Sequence, residues 1–572
     1  MAQVAIPAEE LIAGPMGYRV HVVDYDATTR QYHGAHALPA EQADEPRRWR
    51  DGSDSLVSDY RFHAQNVYAL VMRTLARFEL ALGRRLGWSF GSHQLKVAPH
   101  GMVDANAFYS ASDEGLVFGY FAGHNGKPVY TCLSHDIVVH EATHALLDCL
   151  RERYMYPSGP DQAAFHEGFG DVVALLSVFS LPEIVRHLMQ PNARTSGGAP
   201  MISHSAVGVE ALRESALFGL ADEMGEEIEG IRGAPLRQSA TIPADRKILD
   251  APEFLEAHRR GEVFVAAVMN AFISAWARRI GQLGSKNQKA YPLAAVAEEG
   301  ADIADTLATM WIRALDYMPP VHLEFGDALS AVLTADLELR PDDSRFELRA
   351  HLTKEFGKYG IEPASRQGHG IWSPPPDGLR YERVRCESMR SDKDEVFRFL
   401  WDNREKLELR DGAYTQVISV RPCTRTGSDG FVLHETVAEY YQVARLTPPE
   451  LAARGITVPP EYVESLRASR TGAGAAGSAD VDDGSAADSA NDGNDVTPVY
   501  GGGVLIFDEF GRLKHWIHKD VFGGRQSARL AYLWNEGYLV ADGGSARYRP
   551  ARFATIHLRR AVDAHRRPAE GW

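Results

Sequence analysis

Between Ser134 and Leu150 the chain reads SHDIVVHEATHALLDCL, placing His140 and His144 four residues apart with Glu141 between them. On a helix, residues i and i+4 share one face, so both imidazoles can reach one metal ion. Glu141 is displaced by about 100° and can act as a base toward a water that the metal activates. Two ligands do not complete a hydrolytic zinc site, which takes a third protein ligand and keeps a fourth position open. Further along, AAFHEGFGDVVALLSVF carries Glu167 and Asp171, again one helical turn apart on an otherwise apolar face. Glu167 is the candidate third ligand. Asp171 is placed to accept the remaining ring N–H of a ligand histidine, a contact that fixes the tautomer and raises basicity.

Certain elements must position these residues. Ile137, Val138 and Val139 before the motif, with Ala145, Leu146 and Leu147 after it, predict a helix buried nearly all round, with Ser134 or Asp136 to cap its start. Charged side chains on such a helix need a partner, and a divalent cation is one. A loop through Pro157, Gly159 and Pro160 would let a second apolar helix return alongside with Glu167. Helical periodicity also marks Asp59 to about Leu86, Glu262 to Ile280, Ala301 to Tyr317, Gly326 to Leu337 and Ser344 to Tyr359, with strand-like runs at Tyr18 to Tyr25, Gln94 to Val97 and Leu116 to Phe121. The run GHGIWSPPPDG then marks a joint near residue 370. Beyond it, short β-like runs (Thr415 to Val420, Gly430 to His434, Gly503 to Phe507) predict a C-terminal α+β region. Its segment 471–495 is rich in Gly, Ala, Ser and Asp, has no Lys or Arg, and reads as a disordered loop. It lacks the spacing of an EF-hand calcium loop. The expected organisation is an N-terminal extension over 1–58, a catalytic-type domain over 59–370 and an α+β domain over 371–572.

Composition narrows the partners. The 572 residues carry 61 basic and 77 acidic side chains, a net charge of -16, the wrong sign for a dedicated nucleic-acid binder. With 44% hydrophobic residues the chain can bury ample core. Four scattered cysteines make no disulfide framework or zinc finger and are expected to be reduced thiols. The first residues lack the pattern of a secretory signal, and no run reads as a membrane span, so a cytoplasmic protein without a membrane partner is expected. The basic ending with Arg559, Arg560, Arg566 and Arg567 reads as a solvated helix end. The oligomeric state is not legible in the sequence.

Over about residues 59–361 the chain resembles the thermolysin-like neutral metallopeptidases, within the gluzincins. The zinc motif, the Glu167/Asp171 pair and Asp148, four residues after the second histidine, all match in type and spacing. Asn106, Ala107, Phe108 and Tyr109 resemble the family's edge strand, which implies pairing with a substrate backbone. Glu256-Ala-His-Arg-Arg-Gly261 resembles the segment whose histidine stabilises the oxyanion, which implies that role for His258. The resemblance implies an α+β zincin fold, a Zn2+ cofactor, a peptide or protein substrate, and peptide-bond hydrolysis. Val178 stands where the family places a further carboxylate for a calcium pair and Asp136 alone matches that site, so the family's calcium requirement is not carried over; whether calcium binds is not legible in the sequence. Tyr154 and Tyr156 are the candidates for an oxyanion-assisting tyrosine. Three other readings use the same residues: a gluzincin aminopeptidase, whose Gly-x-Met-x-Asn signature is absent; a catalytically inactive or inhibited binding scaffold, against which Glu141 stands; and an ordinary core helix, which does not account for the agreement of four separate segments.

Overall fold

The computed structural model describes residues 3–35, 54–123, 126–196, 198–214, 242–283, 289–365, 368–427, 429–471, 496–542 and 545–549. The expected disordered loop, apart from its first residue, and the basic C-terminal stretch lie outside these residues.

The fold is α+β. Its first part is a five-stranded sheet with helices packed against it. Strand β1 (Val20–Val22) pairs in parallel with β2 (Leu95–Val103), so the segment read as an N-terminal extension contributes a strand to the sheet. β2 runs parallel to β4 (Gly115–Ala122), whose other neighbours are β3 (Ala107–Ser110) and β5 (Pro128–Tyr130), both antiparallel. Among the described residues β3 pairs with β4 alone and forms an edge of the sheet. Helix α1 (Tyr60–Leu82) opens on Asp59, whose carboxylate accepts the Arg61 N–H at 3.0 Å, and stops short of the expected Leu86. Gly83 takes φ 68° there, a left-handed conformation that glycine adopts without strain and that ends a helix.

The helical layer includes α2 (His135–Leu150), α3 (Pro160–Phe179), α4 (Ala257–Gln282), α5 (Leu293–Ala314), α6 (Phe325–Leu339) and α7 (Leu348–Lys358). α3 packs against both α2 and α4. Among the described residues α4 alone is by itself long and apolar enough to cross a membrane, and 78% of its apolar window is buried inside the protein, as in a core helix. Pro160, expected in a loop, is the first residue of α3, where its missing N–H costs no hydrogen bond.

The C-terminal part adds helix α8 (Lys393–Asp402) and a four-stranded antiparallel sheet in the order β6 (Tyr414–Thr426), β7 (Val432–Leu446), β8 (Thr497–Phe507), β9 (Leu513–Lys519), with α9 (Pro460–Thr471) and α10 (Gln526–Asn535) at its side. β7 and β8, although 50 residues separate Leu446 from Thr497, pair from Thr436↔Phe507 to Leu446↔Thr497. These strands exceed the expected short runs because charged residues interrupt their apolar pattern, and those charges are paired inside. Arg425, fully buried, bonds Glu435 and Asp316; Arg84 holds Asp316 at 2.6 and 2.7 Å; Arg151 pairs with Glu439. Val437, Val504, Ile506 and Ile517 of this sheet belong to the same hydrophobic core as α2 and α3. Breaking one such buried pair costs about 3–5 kcal/mol because the remaining charge is stranded. Trp372, within the joint, is fixed to the first part by its indole N–H on the Tyr317 carbonyl at 2.9 Å.

Candidate metal centre

The motif helix is buried as its flanks require: every residue from Asp136 to Asp148 is shielded from solvent. Ser134 occupies the N-cap position but its hydroxyl bonds the Asp136 carboxylate rather than a helix N–H, so the expected side-chain cap does not form. His140, His144 and Glu167 converge, with one donor atom from each within 4.8 Å of the others. Glu167 Oε2 lies 3.6 Å from His140 Nε2, and Oε1 lies 3.7 Å from His144 Nε2. Donor atoms around a tetrahedral ion with bonds of about 2.1 Å sit about 3.4 Å apart. The separations are therefore too long for hydrogen bonds and close to those between donor atoms that share one ion. Two nitrogens and a carboxylate oxygen form a donor set suited to zinc.

The surroundings fix these rings. His140 Nδ1 lies 2.9 Å from Asp171 Oδ1, which sets Nε2 toward Glu167. The ring fits because residue 170 is glycine: a Cβ there would stand 2.8 Å from His140 Nδ1. Gly168 of α3 and Gly261 of α4 allow an equally close approach, a Cβ on either falling about 3 Å from the other helix's backbone. Arg260 reinforces that contact through Asp161 at 2.5 Å.

Close packing of α4 brings His258 to the centre. Its Nε2 lies 4.0 Å from Glu167 Oε2, and its Nδ1 bonds Glu256 Oε1 at 2.6 Å. Glu256 also caps α4 by accepting the Arg259 N–H at 2.9 Å. Burial alone would raise the Glu256 pKa, but the hydrogen bond and charge of His258, with the Arg259 N–H, outweigh it and bring the carboxyl down to about 2. The role of Glu256 escaped the sequence reading; its visible signal is only that of a helix-capping carboxylate.

On the other side, the Tyr109 N–H of edge strand β3 donates to Glu141 Oε2 at 3.1 Å. Asn106 organises the start of that strand: its carbonyl accepts the Gly119 N–H at 2.8 Å and its side chain accepts the Ala107 N–H at 2.9 Å. Ala107 and Phe108 follow in register opposite Phe118 and Val117. Asp148 ties strand to helix by accepting the hydroxyls of Tyr109 and Ser89, each at 2.6 Å. Burial pushes both the Asp148 carboxyl and the Tyr109 phenol up. Of the two candidate tyrosines, Tyr154 is buried with its hydroxyl on the Pro319 carbonyl at 2.7 Å, and Tyr156 lies beside Arg153.

The arrangement joins a set of donors able to hold a metal, a carboxylate against an edge strand, and a histidine oriented by a second carboxylate. No family model matches the chain, and no curated protein matches it. Among solved structures, the precursor of protealysin, a metalloproteinase from Serratia proteamaculans, is similar over 63% of this chain and 90% of its own, at 15% identity and a TM-score of 0.32. At that level the likeness carries no argument, and the site rests on its own geometry.

Proposed function

We propose that the protein is a zinc-dependent metallopeptidase that hydrolyses peptide bonds with Glu141 as general base. The observation that carries this reading is the convergence of His140, His144 and Glu167 beside a carboxylate that already touches the backbone of an edge strand. When bound, zinc would polarise the scissile carbonyl and lower the pKa of a water toward about 7. The Tyr109 N–H orients Glu141, which takes a proton from the attacking water and delivers it to the leaving amine. The strand carrying Asn106, Ala107 and Phe108 offers its edge to an extended peptide. Glu256 fixes the His258 ring through Nδ1, so Nε2 is turned toward Glu167 and the position where the oxyanion develops. Asp171 keeps His140 in the tautomer that presents Nε2.

The test pairs metal analysis with cleavage of a mixed peptide library by wild type and Glu141→Gln. One bound zinc at His140, His144 and Glu167, with cleavage lost in the variant, is the expected result. Zinc with no cleavage by wild type favours a binding scaffold, and release of single N-terminal residues favours an aminopeptidase.

A further inference from the structure

A second cluster of metal-binding side chains lies where α1, β2, the Thr131–Leu133 turn and the segment after β1 meet. His63, His100 and Cys132 are fully buried there, with one donor atom from each within 4.8 Å of the others. The proton arrangement of the two rings is constrained from outside. His63 Nε2 lies 2.9 Å from the Val57 carbonyl, which can only accept, so this nitrogen carries hydrogen. His100 Nδ1 lies 2.8 Å from the Asp24 carboxylate, so it too carries hydrogen. The remaining nitrogens, His63 Nδ1 and His100 Nε2, are then both lone-pair donors, yet they face each other at 2.7 Å. Two lone pairs at that distance repel unless a cation stands between them, and the cation is either a shared proton or a metal ion.

The neighbourhood favours the metal. Each ring is held from behind by an acceptor, the arrangement that orients histidine ligands in metal sites. Cys132 Sγ converges on the same point and adds a soft sulfur donor to the two ring nitrogens. Tyr60 stacks on His100 with ring centroids 4.0 Å apart, and Tyr130 lies 4.6 Å from His63, closing the pocket with aromatic faces. His33 stands beside His100 at 5.8 Å between ring centroids, and its buried Nε2 has no hydrogen-bond partner among the described residues.

We propose that His63 Nδ1, His100 Nε2 and Cys132 Sγ bind a structural divalent cation of the zinc class, with His33 as candidate fourth ligand. Admitting the ion requires the two imidazole nitrogens to part to about 3.4 Å, a small swing of the rings. The ion would cross-link α1 and β2 to the turn that leads directly into α2, and so brace the entry to the helix carrying His140 and His144. It is closed on all sides by protein, unlike a hydrolytic site, which keeps a position open.

The proposal is independent of the proposed function because His140, His144 and Glu167 include no sulfur. Cobalt(II) loaded into the full-length chain should give a near-ultraviolet sulfur-to-cobalt charge-transfer band that persists in the double variant His140→Ala, His144→Ala. Cys132→Ala should lose the band and one equivalent of bound metal. X-ray absorption of the wild-type zinc form, which needs no variant, should show a sulfur scatterer at about 2.3 Å. Absence of both band and sulfur shell at saturating metal overturns the proposal and leaves the shared proton as occupant. A band that survives Cys132→Ala overturns it as well, by assigning the thiolate elsewhere.

Discussion

The two histidine clusters are built differently although both are buried. In the first, two ligands share a helix and the third sits on its neighbour, with donor separations of 3.6 and 3.7 Å near those of a bound ion. In the second, the donors come from a helix, a strand and a turn, and two of them touch at 2.7 Å. The first has the Glu141 carboxylate and a third histidine, His258, beside it and lies against an edge strand; the second is walled by tyrosines and fully buried. The difference teaches how one ligand chemistry serves two ends. Donors joined by a carboxylate base and a further histidine could do chemistry, whereas donors surrounded only by aromatic walls could hold parts of the fold together.

The sharpest way to break this contrast is to remove the base. Glu141→Gln should lower kcat by about 100- to 10,000-fold, as expected for loss of a positioned general base, while bound metal stays constant. Cys132→Ala should leave kcat within a few fold and lower the melting temperature instead. Equal losses of activity in both variants would abolish the distinction between a catalytic and a bracing site. The next largest effect is expected at His258: replacement by Ala should cost about 100-fold in kcat with little change in KM, the signature of a donor that acts on developing charge. A rise in KM at constant kcat would reassign His258 to substrate binding.

The two clusters also differ in how visible they are before folding. His140 and His144 stand out because a single helix brings residues four apart together, so spacing alone implies proximity. Glu167 and Asp171 are legible for the same reason, as two carboxylates one turn apart on an apolar helix. His63, His100 and Cys132 share no element, and nothing in the spacing of three distant residues announces that a helix, a strand and a turn will gather them. The C-terminal strands were foreshortened in the sequence for a related reason. Arg425, Glu435 and Glu439 fall outside the apolar runs, and partners far along the chain, Asp316 and Arg151, help make their burial tolerable. Local periodicity reveals what one element does by itself; it is silent about charges and ligands whose partners arrive from another.

A finer probe compares the carboxylates behind the histidines. Asp171 backs His140 and Asp24 backs His100, at 2.9 and 2.8 Å. Asp171→Ala should weaken metal binding at the first cluster by about 10- to 100-fold and leave the sulfur-ligated metal in place; Asp24→Ala should do the reverse. Competition with a graded chelator, read by zinc release and by the cobalt–sulfur band, separates the two. Cross-effects of similar size would mean that the clusters act as one unit.

The smallest effect concerns pH and distinguishes orientation of His258 from simple capping of α4. The Glu256 carboxyl is held at about 2 in the folded chain against an ordinary value of 4.5, so it contributes stability that is fully present above about pH 4.5 and lost as pH falls through about 2. The stability difference between wild type and Glu256→Gln, measured by denaturant titration of metal-free protein, should therefore be constant near neutrality and shrink between those limits. The amide can still accept the Arg259 N–H but lacks the carboxylate charge that faces His258 Nδ1, so the capping part of the interaction survives in the variant while the part that depends on His258 is weakened. Combining Glu256→Gln with His258→Ala should then produce little loss beyond that of His258→Ala alone. A fully additive double variant would show that Glu256 serves the helix and not the histidine.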